Sequence, residues 1–445
     1  MPRKPLHGVK LNRRSFLQGG SAAVLAGLGL PYVIPASALG KAGTAAPSER
    51  IVMAAIGVGS QGTSNLRAFL GLPEARVVAV CDADRTRTAK AKETIDRAYG
   101  NQDCRTYVDY REMIAAEKLE AVSIAVPDHW HAIIAVDCAR AGLDIYGEKP
   151  LARSIVEGRM ISDTVSRYSR IWQTGSWQRS EAHFRRACEL VINGRIGKVA
   201  RVEVGLPNGY DGPQIRLLPV PESLDWDRWL GSAPYRPYQD FTRDGQGTIH
   251  YQWRGIRDYS GGTLTDWAGH HVDIAHWGLG LEYTGPVEVE GQGVYPTQGI
   301  YNVPKAYQCR CRYANGVEMI VANSGQQPKG MGAAWYGDRG WIHVDRGNRL
   351  FASDEKILRS QIGPNEIHLY RSDNHHGNFL ECIRTRHQAI TPAEVAHRSV
   401  SVGLLCEIAM LVGRPLRWDP KTEQILGDPE ASRLLARPMR SPWHL

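Results

Sequence analysis

The stretch from Ile51 to Asp82 constrains this chain more than any other. It reads IVMAAIGVGSQGTSNLRAFLGLPEARVVAVCD. A six-residue apolar run, Ile51 to Ile56, meets Gly57-Val58-Gly59-Ser60-Gln61-Gly62, and a helix-prone segment, a second apolar run and Asp82 follow. Strand, glycine turn, helix, strand and acid, in that order, are the parts of a dinucleotide cradle. Gly57 permits the tight turn, Gly59 lets the backbone approach a pyrophosphate, and Gly62 lets the helix pack on the strand. The free N–H groups at the helix start, around Ser60 and Gln61, face the phosphates. Asp82 ends the second strand, where a carboxylate takes ribose hydroxyls and repels a 2′-phosphate. That favours NAD, while Arg85 and Arg87 keep NADP open.

A chain of 445 residues is too long for one ordinary core, so two domains are expected. The net charge of +8 is concentrated at the start: residues 1–38 hold Arg3, Lys4, Lys10, Arg13 and Arg14 and no acid. The remainder is close to neutral at +3, which gives no case for a nucleic-acid partner. Eight cysteines are scattered without a CxxC pair, so neither zinc nor a disulfide framework is expected. Asn12-Arg13-Arg14-Ser15-Phe16-Leu17, the apolar run Ala22 to Ile34 and Ala36-Ser37-Ala38 have the form of a twin-arginine export signal over residues 1–38. The expected location is periplasmic or otherwise extracytoplasmic. The apolar run is too short and too rich in Gly and Pro to span a bilayer, so no stable membrane insertion is expected after cleavage. Residues 39–49 read as a flexible linker.

From residue 50 to about 170, strands and helices alternate, which is the mark of a parallel doubly wound sheet. Helices are expected over 84–99, 109–117 and 131–141. A third strand runs from Leu119 to Val126 into Pro127-Asp128-His129-Trp130-His131, and a fourth, Asp144 to Tyr146, ends at Glu148-Lys149-Pro150. Ligands of such sheets sit beyond the carboxyl ends of the strands, so Asp82, Pro127-Asp128 and Glu148-Lys149 should converge on one crevice. An ammonium at Lys149 would bind a substrate hydroxyl and stabilise a developing alkoxide.

From about 171 to 445 the pattern becomes period-two. Residues 198–206, 287–289, 307–313, 317–321, 335–337 and 341–344 read as strands, with an Asn315-Gly316 hairpin turn. Tyr307, Cys309, Cys311 and Tyr313 point one way, and Gln308, Arg310 and Arg312 the other. The expectation is a large, mostly antiparallel open sheet with one apolar face, so helices cover it or a homodimer or homotetramer forms. Helices are expected over 375–387 and 393–412.

One segment stands apart, running from Tyr259-Ser260-Gly261-Gly262 through Asp266, His270, His271, Asp273 and His276 to Trp277. Asp266 and His270 are four apart and share a helix face, with Asp273 close by. A His between two carboxylates can serve as general base near neutral pH. Three His and two Asp lie close in sequence, but the spacing lacks the HExxH pattern, so no metal is expected. His375-His376 either line the same pocket or begin a helix capped by Asp373 or Asn374. Trp130, Trp177, Trp253 and Trp267 could offer flat faces to a sugar ring, in a chain with 12 Trp against 6 Phe.

These pieces together resemble the glucose–fructose oxidoreductase, inositol dehydrogenase and MocA group (Gfo/Idh/MocA). The resemblance runs from about residue 51 to near the end. It rests on the Gly57-x-Gly59-x-x-Gly62 turn, Asp82, Pro127-Asp128-His129-Trp130-His131, Glu148-Lys149-Pro150, and Gly261-Gly262 followed by Asp266-x-x-x-His270. It implies an N-terminal Rossmann domain, a C-terminal α/β substrate domain, and NAD(P)-dependent hydride transfer at a carbinol carbon of a sugar, polyol or related ring. It also implies Lys149, Asp266 and His270 as the catalytic set, and places Arg179 at an often basic position near the substrate. In many relatives the residue after the proline is Asn, where this chain has Asp128. Export implies a tightly held nucleotide that each cycle restores. A redox-neutral exchange between two sugars does this, and so does a glycosidase that oxidises, eliminates, hydrates and reduces. A non-catalytic sugar- or nucleotide-binding protein is the third reading.

Overall fold

The apolar run Ile51–Ile56 forms β1, and the glycine turn delivers the chain straight into α1 (Ser60–Leu70). In this computed structural model residues 49–212, 216–240 and 252–445 are described. The expected export signal lies outside them. From β1 the chain alternates through β2 (Ala75–Cys81), α2 (Arg85–Tyr99), β3 (Arg105–Tyr107), α3 (Tyr110–Ala116), β4 (Ala121–Ile124), α4 (Asp128–Arg140), β5 (Asp144–Gly147), α5 (Ile155–Arg167) and β6 (Trp172–Thr174). The six strands are parallel in the order β3-β2-β1-β4-β5-β6, the doubly wound arrangement expected. Two strands of this sheet were not anticipated. β3 and β6 have three residues each, too few for a periodic pattern to register, so the expected fourth strand is the fifth. The helix expected from 131 starts at Asp128, because Pro127 sits at its N-cap with φ −58° and ψ 149°.

The second half builds a nine-stranded sheet: β7 (Val199–Leu206), β10 (Glu288–Val294), β11 (Ala306–Arg312), β12 (Glu318–Asn323), β13 (Gly332–Gly337), β14 (Gly340–Asp345), β15 (Arg349–Ala352), β16 (Leu416–Asp419) and β17 (Gln424–Ile425). Its order is β15-β14-β13-β7-β12-β11-β10-β16-β17, antiparallel except where β7 meets β12. A small two-stranded ribbon, β8 (Arg216–Leu217) with β9 (Gln239–Asp240), lies apart. The short β8, β9, β15, β16 and β17 were not anticipated either. On β11 the alternation is as read: Tyr307, Cys309 and Cys311 are buried, and Gln308, Arg310 and Arg312 are exposed. The eight cysteines are free and buried. Further helices are α6 (Ala182–Ile192), α7 (Trp226–Leu230), α8 (Gly262–Leu279), α9 (Glu355–Arg359), α10 (His375–Thr385) and α11 (Ala393–Val412). The apolar face of the sheet is covered by α6, α8 and α11. Among the described residues α11 alone is long and apolar enough to cross a membrane, and it is a buried core helix.

Helix α8 fixes the site. Gly262, at φ +75°, starts it, and it is buried nearly all round, from Gly262 to Gly278. It touches β7 and β13 of the large sheet, and a Cβ on Gly269 would come within 3.2 Å of Lys149 Cβ, beyond β5. The residues after Gly269 are therefore brought against the carboxyl end of the parallel sheet.

Candidate active site

The carboxyl ends of β1, β2, β4 and β5 open on one cleft, lined by the glycine turn, Asp82, Pro127-Asp128 and Glu148-Lys149. The glycine turn forms its floor. A Cβ on Gly57 would lie 2.4 Å from Ala125 O, and one on Gly62 would lie 1.9 Å from Gly57 O, so only glycine lets turn, helix and β4 come this close. Gly62 packs the turn and does not line the cleft, whereas Gly57, Gly59, Ser60 and Gln61 do. Over Gly59 lies Arg87, whose Nη1 would be 2.7 Å from a Cβ there. Asp82 accepts Val58 N–H at 2.9 Å and Asp84 N–H at 3.0 Å. Burial raises its pKa against the pull of those two bonds. These features fit a dinucleotide: a backbone cradle at a helix start, a cation above it and an acid after β2.

Glu148 ties the far side together. Its Oε1 accepts Gln61 Nε2 at 3.1 Å and Asn65 Nδ2 at 2.9 Å, which joins α1 to the end of β5. Beside it Lys149 Nζ donates to Asp266 Oδ1 at 2.7 Å, and Arg254 Nε stands 3.7 Å from the same oxygen. Burial would push the Asp266 carboxyl up, but Lys149 and then Arg254 outweigh it and hold the group below the ordinary range. Asp128 accepts Ser260 Oγ–H at 2.7 Å on the neighbouring wall. Burial and then the charge of Asp266 push its carboxyl up to about 7, so near neutral pH it is a carboxyl that holds or gives a proton.

His270 follows Gly269 and is 3% exposed. Its ring lies between Trp267 and Trp177, with centroids 5.5 and 6.3 Å away, and its Nδ1 is buried without a partner. Burial, then the charges of Lys149 and Arg346, hold it well below the usual histidine value, so the imidazole is neutral at pH 7. That is the form a proton acceptor needs. The expected bracket of two carboxylates does not form. Asp266 pairs with Lys149, and Asp273 is held by Arg179 and by Ser399 Oγ at 3.0 Å.

Other expectations are corrected. Arg179 is 2% exposed, with Nε and Nη2 on Asp273 at 2.6 and 2.8 Å and Nη1 on Glu282 at 2.5 Å. Its donors are engaged inside the second half of the chain, away from the cleft. His375 begins α10, which Asn374 caps, with its Nδ1 2.8 Å from Ser180 Oγ and its Nε2 2.8 Å from Thr174 O. Both of its ring nitrogens are thus engaged within the protein, and it ties α10 to the end of β6. His131 has its Nδ1 2.7 Å from Pro150 O and its Nε2 2.9 Å from Val126 O, so it shapes the cleft wall from behind. Trp177 and Trp267 face a cation: Arg346 Cζ lies 4.5 Å from each ring centroid. Trp253 lines the cleft with Arg254 stacked over it at 4.3 Å, and Trp130 lines it with its N–H on Trp229 O. Among the described residues no cluster has the make-up of a metal site.

Sequence reasoning passed over Ser260, Asn65, Arg254, Arg346 and Trp443. Asn65 had a signal, since it is four residues past Gln61 and shares its helix face. The others are brought in by the tertiary fold and had none.

A parallel doubly wound domain with a glycine cradle, joined to an open mixed sheet that supplies a helix with Asp and His, defines a nicotinamide-dependent oxidoreductase architecture. Residues 51–176 match the profile described as the oxidoreductase family, NAD-binding Rossmann fold, and residues 211–445 match that family's C-terminal alpha/beta domain. The chain belongs to the Gfo/Idh/MocA family. It is 31% identical over 176 residues to an alpha-N-acetylgalactosaminidase of Shewanella oneidensis, covering 35% of this chain and 37% of that protein. It is 32% identical over 145 residues to inositol 2-dehydrogenase 1 of Saccharopolyspora erythraea, covering 32% and 41%. The chain thus spans well under half the length of these curated relatives. The crystal structure of an aldose-aldose oxidoreductase from Caulobacter crescentus, complexed with glycerol, shares the fold at TM-score 0.60 and 18% identity, covering 83% of this chain and 99% of that one.

Proposed function

We propose that this protein transfers hydride at a carbinol carbon of a sugar, polyol or glycoside, with NAD held tightly and restored in each cycle. The observation that carries the reading is the Lys149–Asp266 pair at 2.7 Å, with Lys149 lining the cleft and packed against Gly269, the residue before the neutral, buried His270. A bound nicotinamide supplies the hydride acceptor or donor. The chain's own groups handle the rest. His270 takes the hydroxyl proton. Lys149 holds the oxygen as it gains negative charge, and Asp266 fixes the ammonium where that charge develops. Asp128 and Ser260 extend the polar wall beside it. Arg87 above Gly59 is placed for a phosphate of either nucleotide, and the preference for NAD over NADP rests on Asp82 after β2.

The partial likeness to an alpha-N-acetylgalactosaminidase favours a second reading, an NAD-dependent glycoside hydrolase that uses the same groups through oxidation, elimination, hydration and reduction. Export by the twin-arginine route, action in the periplasm, and assembly into a homodimer or homotetramer through the charged open face of the large sheet complete the proposal. Denaturing the purified protein should release about one nucleotide per chain. If none co-purifies and free NAD turns over rapidly, the closed cycle is wrong. Nitrophenyl glycosides cleaved without net NADH would select the glycosidase. A purely binding protein would show neither activity.

A further inference from the structure

The cleft has two ends, and strand order tells them apart. Lys149 follows β5 on one side of the glycine turn, while Asp82 follows β2, and Asp109 and Tyr110 follow β3, on the other. In a dinucleotide cradle the acid after the second strand meets the adenosine ribose, so the β2–β3 side takes the adenosine half. That side is walled by rings. Trp130 lies 6.2 Å from Tyr110 at an interplanar angle of 80°, and 4.7 Å from Trp443 at 77°. Arg111 Cζ stands 4.6 Å from the Trp443 ring, and the buried Trp443 indole N–H has no acceptor. Trp443 thus lines the cofactor cleft from the far end of the chain.

The segment that brings it there has no helix or strand of its own between residues 436 and 445. Two arginines pin it. Arg437 Nη2 reaches His129 O at 2.8 Å, Ser232 Oγ at 2.9 Å and Glu157 Oε1 at 2.6 Å. Arg440 Nε donates to Gly231 O at 2.9 Å, and its Nη1 to Asp227 Oδ1 at 2.5 Å. Most of these anchors belong to α4, α7 and the turn after α7, the same elements that carry Trp130 and Trp229 into the cleft wall. An irregular segment pinned on the cleft's rim with its indole in the cleft is built as a strap.

We propose that residues 437–443 form a strap along the adenosine half of the cleft and that Trp443 is a cofactor-retaining residue whose ring packs against the adenine. The inference rests on the resident-nucleotide reading and gives it a physical means. Base–aromatic contact is sequence-tolerant and strong enough that losing it speeds release by roughly 10-fold or more. The test loads wild-type protein and Trp443→Ala with NADH, adds excess NAD, and follows nicotinamide fluorescence as NADH leaves. Trp443→Ala should release NADH about 10-fold faster, and Trp443→Phe, which keeps an apolar ring, by much less. Arg440→Ala should also accelerate release by loosening the strap, and it carries the comparison with Trp443→Phe if the alanine variant does not fold. Equal release rates in wild type and these variants would overturn the strap. A wild type that is purified empty and exchanges NADH within seconds would sink the resident-nucleotide reading alone, because the ratio of rates still judges Trp443.

Discussion

Helix α8 carries two buried carboxylates two turns apart, and each meets a cation from the first 180 residues. Asp273 meets Arg179, and Asp266 meets Lys149. The Arg179 set is closed. The side chains of Arg179 and Asp273 are 2% and 3% exposed, Glu282 and Ser399 complete the bonding, and Arg179 lies over the Trp277 ring at 4.8 Å. The Lys149 set is open. Lys149 lines the cleft, and Asp266 takes one of the three donors of its ammonium. Spacing along the chain does not separate the two pairs. What separates them is whether the cation has donors left and a surface on which to use them.

Variants should break that contrast if it is wrong. Arg179→Ala strands Asp273 and Glu282 together, so unfolding in urea should show a loss of about 3–5 kcal/mol. A variant near wild-type stability would mean that the set is not structural. Lys149→Met should behave in the opposite way. Arg254 still faces Asp266 and the site is open, so stability should change less than in Arg179→Ala, while turnover falls ~100- to 1,000-fold. Retained turnover would remove Lys149 from the chemistry.

An effect confined to a pH window belongs to Asp128, which faces Asp266, Lys149, Arg254 and Ser260. Its folded value of about 7 lies above the ~3.9 of an unfolded Asp. The stability tied to it is therefore complete below ~pH 4 and is lost as pH rises toward 7. Asp128→Asn removes that loss and keeps an acceptor for Ser260. Melting curves should show the variant gaining on wild type between pH 5 and 7 and holding its lead above that. A difference independent of pH would place the Asp128 carboxyl in the ordinary range.

The contrast also shows what a sequence can disclose. The glycine turn, Asp82, Lys149 and the Asp266-x-x-x-His270 pair were legible because local conformation sets each one: a turn only glycine makes, a strand end, a helix face. The long strands of both sheets were legible for the same reason, while β3 and β6 were too short to show a period. Arg179 and His375 were misread because their partners are remote, and His131 because both its ring nitrogens turn to nearby backbone carbonyls, of Val126 and Pro150. Arg179 meets a residue 94 positions away, and His375 binds a carbonyl 201 positions back. A polar residue near a motif looks the same in sequence whether it faces a ligand or a buried carbonyl. Arg346 and Trp443 were invisible for the converse reason, since only the folded chain brings them to the cleft and its neighbourhood.

The central claim is that Lys149 and His270 act on a sugar while the nucleotide stays in its cradle. Adding an aldose to purified protein without free nucleotide, and reading the absorbance of reduced nicotinamide, tests it most directly. The account predicts a rise of about one equivalent per chain that a second, reducible sugar reverses, and no rise in His270→Ala, which still holds the nucleotide. A signal that appears only with added NAD and then accumulates over many turnovers, or an unchanged rise in His270→Ala, would contradict it.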